Sequence, residues 1–207
     1  MQYSILQRFL MRLVDLCQIH SGYSARSRLE PVTEGGAPVL QLRSVPNNAG
    51  APDPGDLRYD LANLPPRYFV RGGEVVFRSR GEPNTAAAVS DPLPEPAVII
   101  SPLVIIRPDK ARLLPEYVAW AINQPDAQRR LSSEAQGTSL RMIPIGVLEG
   151  LEISVPDLPT QKRIVELEAL ARQEGRLLRE LASHREELIT RTLGEAAKAA
   201  DQKEIAG

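Results

Sequence analysis

Two histidines, one cysteine and the proline–aspartate pairs at 108–109, 125–126 and 156–157 are the side chains from which chemistry at neutral pH would most readily be built in this 207-residue chain. His20 and His184 are far apart, and the second sits in a run of charges. A nucleophile–histidine–carboxylate triad or a tetrahedral zinc site needs several such groups at set spacing, and neither assembles. Pro108-Asp109, Pro125-Asp126 and Pro156-Asp157 open in the manner of a metal-dependent nuclease motif. No Glu-x-Lys follows any of them, so the second carboxylate and the lysine that such chemistry requires are missing. Cys17 is alone, which excludes an intrachain disulfide and points to a reducing cytoplasm. The sequence is expected to belong to a non-catalytic protein with no metal site.

Binding chemistry is better supplied. The chain holds 21 Arg against four Lys, and no Lys precedes Lys110. Arginine forms forked bonds to phosphates and guanine edges, although a GC-rich coding bias would produce the same preference. The net charge of −1 does not by itself advertise nucleic acid, and an aromatic share of 4% argues against a stacking platform for single strands. Asn63-Leu64-Pro65-Pro66 holds its asparagine one residue away from where an amino-methyltransferase loop needs it, and no glycine-rich strand–turn–helix accompanies it. Gly35-Gly36 and Gly72-Gly73 read as turns. The longest apolar run, Ala97 to Ile106, is interrupted by Pro102 and falls far short of the ~20 residues that span a bilayer. Arg8 and Arg12 break any signal-peptide pattern, so a soluble cytoplasmic protein is expected.

The elements that must position these groups fall in two parts. Residues 1–12 read as an N-terminal extension, with Ile5, Leu6, Phe9, Leu10 and Leu13 at helical spacing. Asp15 is placed to cap a short helical turn through His20, closed by Gly22. Strands are expected over Val39 to Val45, Glu74 to Arg78, Thr85 to Val89, Val98 to Arg107 and Leu151 to Val155. Helices are expected over Leu114 to Asn123 and Pro125 to Ala135, with a turn-rich loop from Asn47 to Gly55. The pattern then changes. Pro156 and Pro159 bracket a turn, and a helix beginning near Thr160 carries Ile164, Leu167, Ala171, Leu178, Leu181 and Leu188 on one heptad seam. Leu170 and Leu177 widen this seam, and Glu174 and Arg185 interrupt it. At 1.5 Å per residue the helix is on the order of 50 Å long, so its seam calls for another helix. The alternative is that it folds back over its own domain. Residues 195–207 read as a flexible tail.

Four stretches carry a resemblance when taken in order: Leu13-Val14-Asp15-Leu16 with Ser21-Gly22-Tyr23; Gly73 to Gly81; Leu103 to Pro108 with Leu114 to Tyr117; and Gly137-Thr138, Leu151 to Pro156 and Gln161 with Ile164-Val165. Together they resemble one target-recognition half of the specificity (S) subunit of type I restriction–modification systems, from about Leu13 to Leu193. Val14 and Glu74 depart from the commoner family residues. Usual members carry two recognition domains and two helices, whereas this chain has one of each. The resemblance implies an α+β fold: a curved mixed β-sheet recognition domain with small helices over residues 13–157, then a long C-terminal helix over residues 158–194 that forms a coiled coil.

The same resemblance implies a subunit that reads double-stranded DNA and recruits DNA adenine methyltransferase subunits, with a motor-nuclease subunit in full complexes. S-adenosylmethionine is then expected in the partner methyltransferase and no cofactor in this chain. Pairing is expected through the helix, either as a homodimer or with another specificity subunit. Base edges are read by Arg and short polar side chains on loops. The candidates are Arg26, Arg28 and Arg43 near the first strand, Arg78, Ser79, Arg80 and Asn84 after the second, and Gln136, Thr138, Ser139 and Arg141 ahead of the helix. Solvated surface charge is the plainer reading of each. The rival from another class is an adaptor or decoy that docks a methyltransferase without reading DNA.

Overall fold

A computed structural model of the chain describes residues 10–26, 28–47, 50–89, 91–137 and 141–205, with side chains to residue 195. It divides into two units, Met1–Arg163 and Ile164–Gly207. The first unit is built on three sheets. Strands β1 (Leu10–Arg12) and β11 (Glu152–Ser154) form an antiparallel pair. Strands β2 (Cys17–Ser21), β10 (Leu103–Pro108), β7 (Val75–Arg78) and β8 (Ala86–Ala88) form an antiparallel sheet in the order β2-β10-β7-β8. Strands β3 (Pro31–Val32), β5 (Arg58–Tyr59), β4 (Ala37–Leu40), β9 (Ala97–Ile99) and β6 (Phe69–Val70) form a mixed sheet in the order β3-β5-β4-β9-β6, with β4 and β9 parallel. The expected α+β class with curved mixed sheets and small helices is what the fold shows.

Alternating side chains assign the core. Leu40, Val70, Ala97 and Ile99 of the mixed sheet pack with Val76, Ala87, Leu103 and Ile105 of the antiparallel sheet, so these two sheets share an apolar layer. On the far face of the mixed sheet, Ala37, Val39, Tyr59 and Val98 form a smaller cluster with Tyr23, Leu29 and Phe69. The remaining face of the antiparallel sheet is covered by α1 (Pro115–Ile122), whose Tyr117, Val118 and Ile122 are buried. Val75, Val76 and Phe77 are therefore fully buried in succession, as expected of a strand covered on both faces. Each such side chain contributes about 1.5–3 kcal/mol of transfer free energy. Asn123, just past α1, donates to Ala86 O at 2.8 Å and accepts from Ala86 N at 2.9 Å, tying the helix end to β8.

Several local expectations fail for reasons of pairing. Residues 1–9 of the N-terminal extension lie outside the described residues, but Leu10–Arg12, read at helical spacing, is extended because it pairs with β11. Asp15 starts no helix. It ends a 3-10 turn (Leu13–Asp15), its carboxylate bonds Arg12 Nε at 3.0 Å, and residues 17–21 pair with β10 along their whole length. Sheet pairing thus overrides a weak local helix preference. The strand expected to reach Val45 stops at Leu40, where Ser44 Oγ accepts from Gln41 N and bends the chain into a 3-10 turn (Leu42–Ser44). The strand expected over Val98 to Arg107 is two strands, β9 and β10, in different sheets. The turn readings hold: Gly35, Gly36 and Gly73 all adopt positive φ.

Helices α2 (Pro125–Ser133) and α3 (Ile145–Glu149) follow, and α4 (Leu158–Ile205) closes the chain. Its start lies two residues ahead of the Thr160 read from the local pattern and at residue 158, where the resemblance puts it, with Pro159 inside the first turn, where no helical N–H partner is lost. Asp157 caps it: Oδ1 accepts from Thr160 N at 2.9 Å, and the bonds from Thr160 lower the carboxyl pKa. Gln161 is fully buried. Its Oε1 accepts from Leu114 N at 2.9 Å, and its Nε2 donates to Arg112 O and Pro156 O, both at 2.8 Å. One amide thus ties the first turn of α4 to the segment joining β10 to α1. Replacing Gln161 with Leu leaves three backbone groups unpartnered, at about 1–3 kcal/mol for each that stays dry. The urea midpoint of the Gln161→Leu variant is expected to fall accordingly; an unchanged midpoint would show the tie to be dispensable.

Candidate nucleic-acid interface

The registers bring the candidate loops together. Ser21 pairs with Val104 and Arg78 with Leu103, so the C-terminal ends of β2 and β7 and the N-terminal end of β10 meet at one end of the antiparallel sheet. The β9–β10 turn crosses this end as a hub. Tyr23 N donates to Ile99 O at 2.7 Å, Gly22 N to Leu103 O at 2.8 Å, and Ser79 N to Pro102 O at 3.1 Å. Segment 141–143 is bonded alongside: Ile143 N donates to Ser79 O at 2.7 Å, and Gly81 N to Arg141 O at 3.3 Å. Gln136 and Met142 exchange two backbone bonds, closing the loop between them. The segment that bonds Gln161 follows β10, at the opposite end of the sheet.

Burial sorts the candidates. Arg26, Arg28, Arg43 and Arg80 are exposed, and their side chains make no hydrogen bond or ion pair among the described residues. Gln136 is also exposed. Arg141 is exposed, with Nη2 donating to Ser132 O at 2.8 Å, near the carbonyl end of α2 that favours a cation. Arg78 is half-buried and occupied internally: Nη1 donates to Val45 O at 3.1 Å and to Asn47 Oδ1, which docks the loop carrying Arg43 onto the end of β7. Two candidates are displaced by the fold. Ser79 is buried with its Oγ on Pro102 O at 2.6 Å, and Asn84 is buried with its Nδ2 on Arg78 O at 3.0 Å. Both side chains hold the loop framework. Thr138 and Ser139 lie outside the described residues.

The structure adds residues that spacing did not single out. A cleft of about 750 Å³ opens beside the β9–β10 turn, lined by His20, Tyr23, Arg26, Arg67 and Tyr68 among others. The Arg67 guanidinium stands 4.8 Å from the Tyr68 ring centre, and the Tyr23 and Tyr68 rings meet edge to face at 5.5 Å. Burial, then Arg107 and Arg67, lower the His20 pKa, with Glu74 acting in the opposite sense. Arg107 itself is held by Glu74 at 2.7 Å and by Phe69 O at 2.7 Å. The adjacency Arg67-Tyr68 after two prolines was the sequence signal for this cleft. Among the described residues no cluster of His, Cys, Asp or Glu is arranged to hold a metal ion, and no helix is long and apolar enough to cross a membrane. Burial raises the Cys17 thiol to about 12, which keeps it an inert core residue.

On α4 the seam is bare. Leu167, Leu178, Leu181 and Leu188 are each more than half exposed, as are Leu170, Leu177 and Leu193, while Ile164 is half-buried and Ala171 exposed. The other face carries ion pairs along the helix, among them Glu168 with Arg172 at 2.8 Å.

Gly22 is the tightest point of this region. A Cβ there would lie 2.8 Å from Ile100 C, Ile99 O and Ser101 N, all backbone atoms. Gly22→Ala should therefore push the β2 end off the hub and cost about 1–3 kcal/mol. Thermal unfolding measures the loss, and equal stability of the two proteins would contradict the close approach.

No protein-family model and no curated protein matches this sequence. Solved structures do match the fold. The HsdS subunit from Thermoanaerobacter tengcongensis aligns with a TM-score of 0.60 at 20% identity, over 83% of this chain and 39% of that one. A chain from a structure on the complex assembly and conformational transition of the type I R-M system aligns with a TM-score of 0.65 at 20% identity, over 89% of this chain and 44% of that one. The chain thus spans less than half the length of either neighbour. With a strand framework, small helices and a long terminal helix shared across most of its residues, this chain has the fold of type I restriction–modification specificity subunits.

Proposed function

We propose that this chain is a non-catalytic specificity component of a type I-like restriction–modification system, reading one half-site of double-stranded DNA and recruiting adenine methyltransferase subunits. The observation that carries this reading is the convergence, at one sheet end of a specificity-subunit fold, of loops bearing exposed arginines with no internal partner. A surface arginine held by a neighbouring carboxylate is poorly placed to leave it for a base edge. Arg26, Arg43 and Arg80 have no such partner among the described residues. Arg43, Arg80, Gln136 and Arg141 are assigned to base edges in the major groove, where a good bidentate contact is worth about 1–3 kcal/mol of discrimination.

The exposed leucine stripe of α4 supports pairing with a second helix, from another copy or from another specificity subunit. Two copies related by a twofold axis would read a split palindrome whose gap is set by the paired helices. S-adenosylmethionine belongs to the methyltransferase partner in this scheme, and a motor-nuclease subunit joins where restriction accompanies modification.

Selection of bound sequences from a randomised duplex pool, with the methyltransferase present, tests the proposal. A split motif is expected, and Arg80→Ala should relax one position of it by about 1–3 kcal/mol while changing random-duplex binding little. Removing seven residues of α4, 175–181, should shorten the preferred gap by about three base pairs, because about 10 Å of helix is lost. Recovery of no preferred sequence at any salt, with methyltransferase still bound, would replace the reader with a docking adaptor.

A further inference from the structure

We infer that the cleft bounded by Arg26, Arg67, His20 and Tyr68 is a clamp for a backbone phosphate of the bound duplex, separate in role from the loops assigned to base edges. The inference rests on the DNA-reading proposal and adds the contact that would set the head's register on the strand. Three observations carry it.

The cleft lining holds two arginines and a histidine and no carboxylate. Two arginines lining one cleft with no carboxylate between them favour the entry of an anion. At His20 burial, then Arg107 and Arg67, disfavour the charged imidazole, and Glu74 acts in the opposite sense. Glu74, the acid nearest in effect, is already committed: its carboxylate bonds Arg107 Nε at 2.7 Å and Arg71 N at 3.0 Å.

The groups are also held in place. Arg67 lies on a 3-10 turn (Pro66–Tyr68), its guanidinium rests on the Tyr68 ring, and its Nη2 donates to Tyr68 Oη at 3.3 Å. Tyr23 braces Tyr68 from the side. Arg26 has no hydrogen-bond or ion-pair partner among the described residues. A guanidinium resting on an aromatic ring, a phenol and an unpartnered second arginine around one open cleft suit an anionic oxygen group, to which guanidinium N–H groups donate charge-assisted hydrogen bonds.

Position supplies the third argument. Tyr23, which bounds the cleft, and Ser79, which leads to Arg80, bond to the same β9–β10 turn, through Ile99 O and Pro102 O. The clamp therefore flanks the loops assigned to base edges within one rigid framework. Contacts to phosphate position a protein and carry no sequence information directly.

The test uses the full chain and a 30-base-pair duplex of mixed sequence, beside one carrying the selected motif, followed by fluorescence anisotropy over a KCl series. Each of Arg26→Ala and Arg67→Gln should lower the slope of log K against log [KCl] by about 0.9 in magnitude, with equal loss on both duplexes. Arg67→Lys should keep the slope, which separates lost charge from lost folding. Arg26 has no internal bond to break, so its variant remains informative if Arg67→Gln unfolds. An unchanged slope, or a loss confined to the selected motif, overturns the clamp while leaving the DNA reader standing. Failure of the unaltered chain to bind either duplex overturns both.

Discussion

The turn between β9 and β10 is the constraint on which the head depends. It ends a strand of the mixed sheet and begins a strand of the antiparallel one, so the two sheets are joined covalently there. It also receives the backbone of Gly22, Tyr23 and Ser79 on its two sides. Such an approach of main chain to main chain has no room for a side chain, which is why the second residue of Ser21-Gly22-Tyr23 is glycine although its φ is not positive. Every loop assigned a binding role is attached to this turn directly or through one intermediary. A displacement of a few tenths of an ångström at Gly22 would therefore be felt across the whole surface.

Polar groups inside the head serve the same end. Gln161 offers both ends of one amide to three backbone partners, and Asn123 does likewise for β8. Buried amides of this kind are favourable only when all their groups are satisfied, and here they are, so they fix geometry that apolar packing alone leaves degenerate. Arg107 with Glu74 is the charged version, less than a fifth exposed and supported by Phe69 O and Arg71 N. These ties hold the start of α4 at one end of the antiparallel sheet and leave the opposite end free for the arginine-bearing loops.

Net charge is a poor guide to such a surface. The chain is almost neutral, yet its acids are largely placed where they cap, pair or line the long helix, and the arginines at the loop end stand without carboxylate partners among the described residues. What decides whether a charge is available to a ligand is its local pairing. Arg78 illustrates the point from the other side: it lies between Phe77 and Ser79 at the right end of the right strand, but its Nη1 is committed to Val45 O and Asn47 Oδ1.

The amino-acid pattern alone carried the broad architecture: the strongly alternating or continuous apolar strands, the two proline-started helices, and the long amphipathic helix with its exposed leucines. These features are local, set by periodicity and by residues such as Pro115, Pro125 and Pro159 that act within one turn. Side-chain roles were less legible. Ser79 lies between two arginines and Asn84 follows in the same loop, so both polar side chains resemble ligand contacts until their burial is seen. Asp15 resembles a helix cap until β2 pairs with β10, and Val98 to Arg107 resembles one strand until its halves enter different sheets. Arg67 and Tyr68 join His20 and Arg26 only because strands distant in sequence pair. Whether a side chain faces a neighbour's backbone or water depends on long-range register, and only the tertiary structure decides it.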